Sequence, residues 1–247
     1  MALVVTVLGS SGMYATVERA CAGYLVEIDD FTLWMDAGAG SWRNLITHVD
    51  YRDLDGILLS HRHPDHTSDV LQAFHARHYG DGGPLEPIPL WAPAEAIELV
   101  ATYSSESRSG FDFHAITDES ALEIGAARLA FVRMAHPPET LGVRIEYGVE
   151  VFAYSSDTGE DADFKALAES ANVFMCEATL QNSDEVWHGH LRAAQAASAA
   201  ALAGAGQLIL THLPPGRDHD LSLAEARAET EARVELASDG LRLELGS

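Results

Sequence analysis

Basic residues are scarce in this chain. Its 247 residues include 15 Lys and Arg against 38 Asp and Glu, a formal net charge of −23. No basic run occurs anywhere, and a polyanion needs clustered cations to hold it, so nucleic acid is an unexpected partner. The acidity reads as a solvated surface and specifies no partner of its own. Cysteine is equally sparse. Cys21 and Cys176 lie in or beside apolar stretches and neither has a CxxC neighbour. Buried free thiols are expected, with a disulfide the alternative. No apolar run approaches the roughly 20 residues that cross a bilayer, so no membrane partner is expected. Met1 to Leu8 is apolar but short, with no Lys or Arg before it, which makes a poor signal peptide and a good first strand. A soluble cytoplasmic protein is the expectation.

What is present suffices for a full core. The apolar fraction is 47%, and the length suits one domain of two similar, intimately packed αβ halves over residues 1–247. Val4–Leu8 predicts a strand ending in the turn Gly9-Ser10-Ser11-Gly12. Gly23–Ile28 and Thr32–Met35 predict a hairpin through Asp29-Asp30. Further strands are expected at Asp55–Ser60, Pro89–Trp91, Ala127–Met134, Val143–Tyr147, Glu150–Ser155, Val173–Glu177, Gln207–Thr211 and Leu241–Leu245. Helices are expected at Ser68–His78, Pro93–Tyr103, Asp161–Ser170 and Leu191–Ala203, the last stopped by Gly204 and Gly206. Leu223–Leu236 predicts a final helix, with Ser222 and Glu225 at capping-box spacing. Alternating strands and helices in both halves give an α/β fold. Tyr103–Phe113, rich in Ser, reads as a surface loop, with a lid over the site as the alternative.

The chemistry concentrates in His61-Arg62-His63-Pro64-Asp65-His66. Three His and one Asp follow a strand directly, on a loop at the sheet edge where α/β folds build sites. Pro64 is expected to break regular structure within it. Imidazole and carboxylate suit Zn²⁺, and four such groups within six residues exceed the share of one ion in an open catalytic site, so two metals are expected. His136, Asp157 and His212 each follow another predicted strand, which repeats the placement.

The chain resembles the metallo-β-lactamase fold hydrolases, and within them the RNase Z-like phosphodiesterase branch. The resemblance spans nearly the whole chain. It rests on Met35-Asp36-Ala37-Gly38, Ser60 to His66, Ala135-His136-Pro137, Tyr154 to Thr158, Cys176-Glu177-Ala178-Thr179, Gly189-His190-Leu191 and Leu210 to Leu213. It implies a four-layer αβ/βα sandwich with metals at one edge. It assigns His61, His63 and His136 to a first zinc, Asp65, His66 and His212 to a second, and Asp157 as the bridge. Manganese or iron are the alternatives. Asp36 is expected to orient the histidine loop, or else to form a turn beside Gly38. His190 resembles the extra histidine of the branch, which implies phosphate binding or protonation of the leaving group. His188 is expected at the surface, and His48, His75, His78, His114 and His219 match no motif. Two positions depart from the pattern: Ser156 stands where a small glycine is usual, and Arg192 stands two residues after His190, where it faces solvent or a substrate phosphate.

Two zincs about 3.5–4 Å apart would make a shared water reactive near neutral pH, and that water is the expected nucleophile. Asp65 orients it or takes its proton. The tRNA-processing members carry a long arm between the motifs of His136 and Asp157. Here those lie only 157 − 136 = 21 residues apart. A small phosphodiester such as a 3′,5′-cyclic nucleotide is therefore expected as substrate. Cys21–Val26 and Thr211–Pro215 also resemble bacterial cyclic-nucleotide phosphodiesterases of this fold. The rivals are an armless tRNA 3′-endonuclease, a thioester or lactone hydrolase, and a degenerate scaffold, which would have lost ligands. The resemblance also implies a homodimer.

Overall fold

The computed structural model describes residues 3–103 and 106–246. In chain order the strands are β1 (Leu3–Gly9), β2 (Gly23–Ile28), β3 (Phe31–Ala37), β4 (Gly56–Leu58), β5 (Ile88–Ala92), β6 (Phe111–Ala115), β7 (Ala121–Ile124), β8 (Ala127–Arg133), β9 (Leu141–Tyr147), β10 (Glu150–Tyr154), β11 (Val173–Glu177), β12 (Gln207–Thr211), β13 (Arg233–Leu236) and β14 (Arg242–Leu245). The α-helices are α1 (Ser41–His48), α2 (Pro64–Thr67), α3 (Val70–Tyr79), α4 (Ala94–Tyr103), α5 (Phe164–Ala168), α6 (Ala193–Ala203) and α7 (His219–Arg227). The strands form two seven-stranded sheets, ordered β14-β1-β2-β3-β4-β5-β6 and β13-β12-β11-β10-β9-β8-β7.

Strand periodicity builds the layers. On the first sheet Val5, Val7, Tyr24, Val26, Leu33 and Met35 face inward. They meet Leu129, Phe131, Ile145, Phe152, Met175 and Ile209 of the second sheet in one buried cluster. The alternate residues face outward. Leu25, Trp34, Ile57 and Leu90 pack under Leu45 of α1, Phe74 of α3 and Val100 of α4. Phe174, Cys176, Leu208 and Leu210 pack under Leu167 of α5, Ala226 of α7 and the alanines of α6. Six alanines of α6 are buried, and their small side chains let this helix lie close on the sheet. The result is the expected four-layer αβ/βα sandwich.

Strand direction gathers the functional loops. In the first sheet β1, β3 and β4 run the same way, because β2 is antiparallel to β1 and β3 while β3 pairs parallel with β4. In the second sheet β8, β10, β11 and β12 likewise share a direction. The loops after all of these strands therefore leave from strand C-termini. Ser11 bridges to Leu213, tying the loop after β1 to the loop after β12.

Several expectations are corrected. The last helix starts at His219, capped by Asp218, and ends at Arg227. Arg233–Leu236 is instead β13, parallel to β12. Its Arg-Val-Glu-Leu alternation suits a strand, and the capping-box spacing at Ser222 falls inside the helix, where the Ser222 hydroxyl accepts from Gln181 Nε2 at 3.0 Å. Pro64 does not break structure: it occupies the first turn of α2, where a missing N–H costs nothing. The Tyr103–Phe113 stretch is only partly loop: Tyr103 ends α4. Ser107–Ser109 forms a 3₁₀ turn and Phe111 begins edge strand β6, packed in the core with Phe74; Ser104 and Ser105 lie outside the described residues. Met1 and Ala2, expected to begin the first strand, also lie outside them. Strands β6 and β7 and helix α1 had no sequence expectation. Cys21 and Cys176 are buried and unbridged. Burial, then the nearby Asp65 carboxylate, pushes the Cys21 thiol up to about 12. Among the described residues no helix is long and apolar enough to cross a membrane.

Candidate dinuclear metal centre

The histidine loop leaves β4 with Leu59 still hydrogen-bonded to Trp91 of β5. The next residues turn alternately in and out. His61 is buried, Arg62 points to solvent and pairs with Glu95 at 3.1 Å, and His63 turns back toward the site. The α2 turn then presents Asp65 and His66 together.

Two groups of donor atoms result. His61, His63, His136 and Asp157 form one, and Asp65, His66 and His212 the other, with the atoms of each group within 4.8 Å of one another. His61 Nε2 and His136 Nε2 lie 3.1 and 3.2 Å from His63 Nδ1. Asp157 Oδ2 lies 3.7 Å from His61 Nε2 and 3.8 Å from His136 Nε2. Its other oxygen, Oδ1, lies 3.2 Å from His66 Nε2 and 3.4 Å from His212 Nε2. Asp65 Oδ2 stands 3.2 Å from His212 Nε2. One carboxylate thus shows one oxygen to each group. Four ligands at about 2.0–2.1 Å around a tetrahedral zinc stand roughly 3.3–3.4 Å apart, so these spacings fit a divalent cation in each group.

The outer hydrogen bonds fix which nitrogens point inward. His136 Nδ1 donates to the Gly189 carbonyl at 2.7 Å. His66 Nδ1 donates to Asp36 Oδ2 at 2.8 Å. His212 Nδ1 meets Thr179 Oγ1 at 2.9 Å. Ser60 Oγ spends its own proton on Asp36 Oδ2 at 2.9 Å, so it accepts from His61 Nδ1 at 3.1 Å. Each of these four imidazoles therefore turns an Nε2 lone pair to the centre. His66 Nε2 and Asp157 Oδ1 are buried without an acceptable hydrogen bond, as atoms awaiting a cation are.

The two groups differ electrostatically. Burial, reinforced for His61 by the facing His66, holds His61 and His63 below the ordinary imidazole value, and burial does the same for His136. Burial alone would lower His66 and His212 too, but the Asp157 carboxylate overrides it at both, helped by Asp36 at His66 and by Asp65 at His212. Asp157 is held well below the usual carboxylate range by His212 and His66 despite its burial.

Backbone strain is concentrated here. Of the six described non-glycine residues with left-handed backbone, Met13, Asp36, Ser156 and His212 line this site, with φ between 53° and 69°. At Ser156 that conformation explains why glycine is usual. The serine adds a hydroxyl that donates to Ser60 Oγ at 2.7 Å, joining the Asp36 network. Asp36 is wholly buried and accepts from Ser60 N, Ser60 Oγ, His66 Nδ1 and Tyr154 OH. The expectation that it orients the loop is thus given a geometry. Gly12 is needed for a different reason: a Cβ there would sit 2.7 Å from His212 Nδ1.

His190 lies at the edge of the second group, and its donor atom clusters with those of Asp157 and His212. Glu177, fully buried, holds it through a 2.6 Å contact between Oε1 and His190 Nδ1. Glu177 also accepts from Thr158 N at 2.8 Å and Thr179 N at 3.1 Å. Glu177 stands in the Cys176-Glu177-Ala178-Thr179 motif, which by itself gives it no role. The available signal was a carboxylate at the end of the apolar strand Val173–Cys176, where it must find partners. Arg192 is partly buried and lines a small cavity with His190 and Trp187. Its guanidinium donates to the carbonyls of Asp184 at 2.7 Å and Gln181 at 3.3 Å, bracing the loop that carries His190. His188 is exposed, and among the described residues His48, His75, His78, His114 and His219 join no donor group.

Comparison with known proteins identifies the family. A family model described as the beta-lactamase superfamily domain matches residues 10–213. An uncharacterized protein of Mycobacterium tuberculosis is 32% identical over 242 residues, covering 93% of this chain and 88% of that protein. The probable metallo-hydrolase YhfI of Bacillus subtilis is 28% identical over 241 residues, 96% of this chain and 97% of its own. The crystal structure of the same Bacillus protein superposes with a TM-score of 0.91 over 99% of this chain and 100% of that one, at 27% identity. A ribonuclease Z of Myxococcus xanthus is 28% identical over 299 aligned positions, covering 97% of each chain.

Proposed function

The chain belongs to the beta-lactamase superfamily, and from that premise we propose that it is a dinuclear metal-dependent phosphodiesterase acting on small phosphodiesters such as 3′,5′-cyclic nucleotides. The observation that carries this reading is Asp157, with one carboxylate oxygen toward His61 and His136 and the other toward His66 and His212. In this reading His61, His63 and His136 would hold one zinc and Asp65, His66 and His212 the other, with Asp157 offering an oxygen to each group. Bound ions would supply Lewis acidity toward the phosphoryl group and positive charge that makes water reactive near neutral pH.

The remaining chemistry belongs to the protein. His63, Asp65 and His190 are only partly buried while His61, His66, Asp157 and His212 are buried, so substrate approaches from the former side. Asp65 Oδ2 is held by the Met13 N–H at 2.8 Å and faces the centre, which suits it to orient the attacking water and take its proton. His190 turns its Nε2 toward the same place. Through that nitrogen it can pass a proton to the departing ester oxygen as the P–O bond breaks, while Glu177 on Nδ1 fixes the orientation of the ring.

Small substrates are favoured over tRNA by what joins His136 to Asp157. Strands β9 and β10 form an antiparallel hairpin with Tyr147 opposite Glu150, so a tight turn fills that stretch and no arm projects from it. The net charge of −23 opposes an RNA backbone as well. The test is hydrolysis by zinc-loaded protein of cyclic AMP, bis(p-nitrophenyl) phosphate, precursor tRNA and a thioester. Turnover of the two small diesters is expected. Activity on tRNA alone, or on the thioester alone, would overturn the reading.

A further inference from the structure

Beside the metal-ligating groups lies a cavity of about 520 Å³ that the chemistry above does not use. That size falls within the roughly 300–1,000 Å³ of small-molecule pockets. Met13 and Tyr14, from the loop after β1, line it, with Trp187 from the loop after β11 and Pro214 and Pro215 after β12; His190 stands where it meets the metal centre. Met13, Tyr14 and Trp187 are 61%, 56% and 48% exposed. Large apolar side chains clustered at the mouth of a site mark a ligand surface more often than chance exposure does.

The walls are built rather than slack. The Met13 N–H is held by Asp65, Tyr14 N donates to Gly12 O at 2.8 Å, and Ser11 Oγ donates to Tyr14 O at 2.9 Å. Trp187 lies against His190 and His136, with ring centroids 4.5 and 5.8 Å away, so its indole continues the metal centre outward. Arg217, which lines the cavity, pairs with Asp184 at 2.8 Å. The far part of an occupant therefore meets flat, uncharged, polarisable walls and no unpaired phosphate-binding cation.

We propose that this cavity is an aromatic subsite, in which Tyr14 and Trp187 stack on a flat uncharged ring carried by the scissile phosphodiester, a nucleobase in the natural case. The proposal rests on the phosphodiesterase reading for the link to catalysis, but its binding step can be tested without turnover. Stacking of a base on an aromatic side chain is worth about fivefold or more in affinity. The zinc-loaded full chain is titrated calorimetrically with 5′-AMP and with ribose 5-phosphate, which share the phosphate and differ in the ring. AMP is expected to bind about tenfold tighter, with the preference lost in Trp187→Leu and strongly reduced in Tyr14→Ala, while both variants keep the wild-type affinity for ribose 5-phosphate. Equal binding of the two ligands, or a preference that survives both substitutions, would overturn the subsite. A kinetic arm compares bis(p-nitrophenyl) phosphate with glycerophosphocholine. Tyr14→Ala is expected to raise KM for the aromatic diester about tenfold with kcat little changed, and to leave the aliphatic diester unaffected. If wild type hydrolyses neither diester, the phosphodiesterase reading fails, and the AMP preference still decides the subsite by itself.

Discussion

Replacing Asp36 by Asn keeps the shape of the side chain and changes one group from acceptor to donor. Four donors converge on Asp36: the Ser60 amide at 2.8 Å on Oδ1, and Ser60 Oγ at 2.9 Å, His66 Nδ1 at 2.8 Å and Tyr154 OH at 2.9 Å on Oδ2. An asparagine amide has two placements. With its NH₂ at the Oδ1 position it opposes the Ser60 N–H, which cannot rotate. With its NH₂ at the Oδ2 position, the Tyr154 hydroxyl can turn to accept, but Ser60 Oγ already accepts from His61 and Ser156, and His66 accepts only by moving its proton to Nε2. That proton would then occupy the lone pair aimed at the cation. Either way one buried hydrogen bond to a charged partner is lost, at about 1.5–3 kcal/mol. The expected result for Asp36→Asn is destabilisation of the metal-free protein by about 2 kcal/mol. Affinity for the second of two zinc ions is expected to fall about 10–100-fold, while the first changes little. Denaturant unfolding in chelator and a zinc titration monitored calorimetrically read the two effects. A variant within 0.5 kcal/mol of wild type that binds both ions normally would refute the orienting role.

Three further outcomes are expected. Gly12→Ala places a Cβ 2.7 Å from His212 Nδ1 and 2.8 Å from its carbonyl oxygen; displacement of His212 should weaken the second zinc about tenfold and lower stability by about 1–3 kcal/mol, read by zinc titration and thermal unfolding. Glu177→Gln should lower kcat on a small diester about 100-fold with metal content unchanged, and the double variant with His190→Ala should be no worse than His190→Ala alone, since Glu177 acts through that ring. Acidification should remove the ions in two steps. His66 and His212 have raised proton affinity, so protons displace a cation from their group first as pH falls, whereas the depressed values of His61, His63 and His136 keep those nitrogens neutral to lower pH. Metal per chain measured after desalting between pH 7.5 and 5 should pass through a plateau near one; a single joint loss would contradict the asymmetry.

The candidate centre was legible because its donor residues are short polar runs at the ends of apolar strands. His61 to His66 follows β4, and Asp157 and His212 follow β10 and β12 within three residues. Period-two alternation likewise identified most strands. What the sequence hid depends on partners remote in the chain. Glu177 acquires its role from His190 and from two backbone amides across a loop. Ser156 looked like a departure because its meaning lies in a left-handed backbone and in Ser60, 96 residues away. Arg192 offered a charge near the site, yet two carbonyls of the preceding loop claim it. The last helix was overextended because Arg233–Leu236 has apolar residues that serve either period, and pairing with β12 selects the strand. Tyr14 and Trp187 carried no local pattern at all; only the fold brings their two loops to one cavity.

The central claim is that two cations, shared through Asp157, make the site hydrolytic. Its most direct test is to strip the protein of metal and follow hydrolysis of bis(p-nitrophenyl) phosphate as zinc is added back in measured equivalents. Activity should rise and saturate at two equivalents per chain, and Asp157→Ala should bind zinc poorly and stay inactive at any addition. Full activity in the metal-free protein, saturation at one equivalent, or an active Asp157→Ala variant would contradict the account.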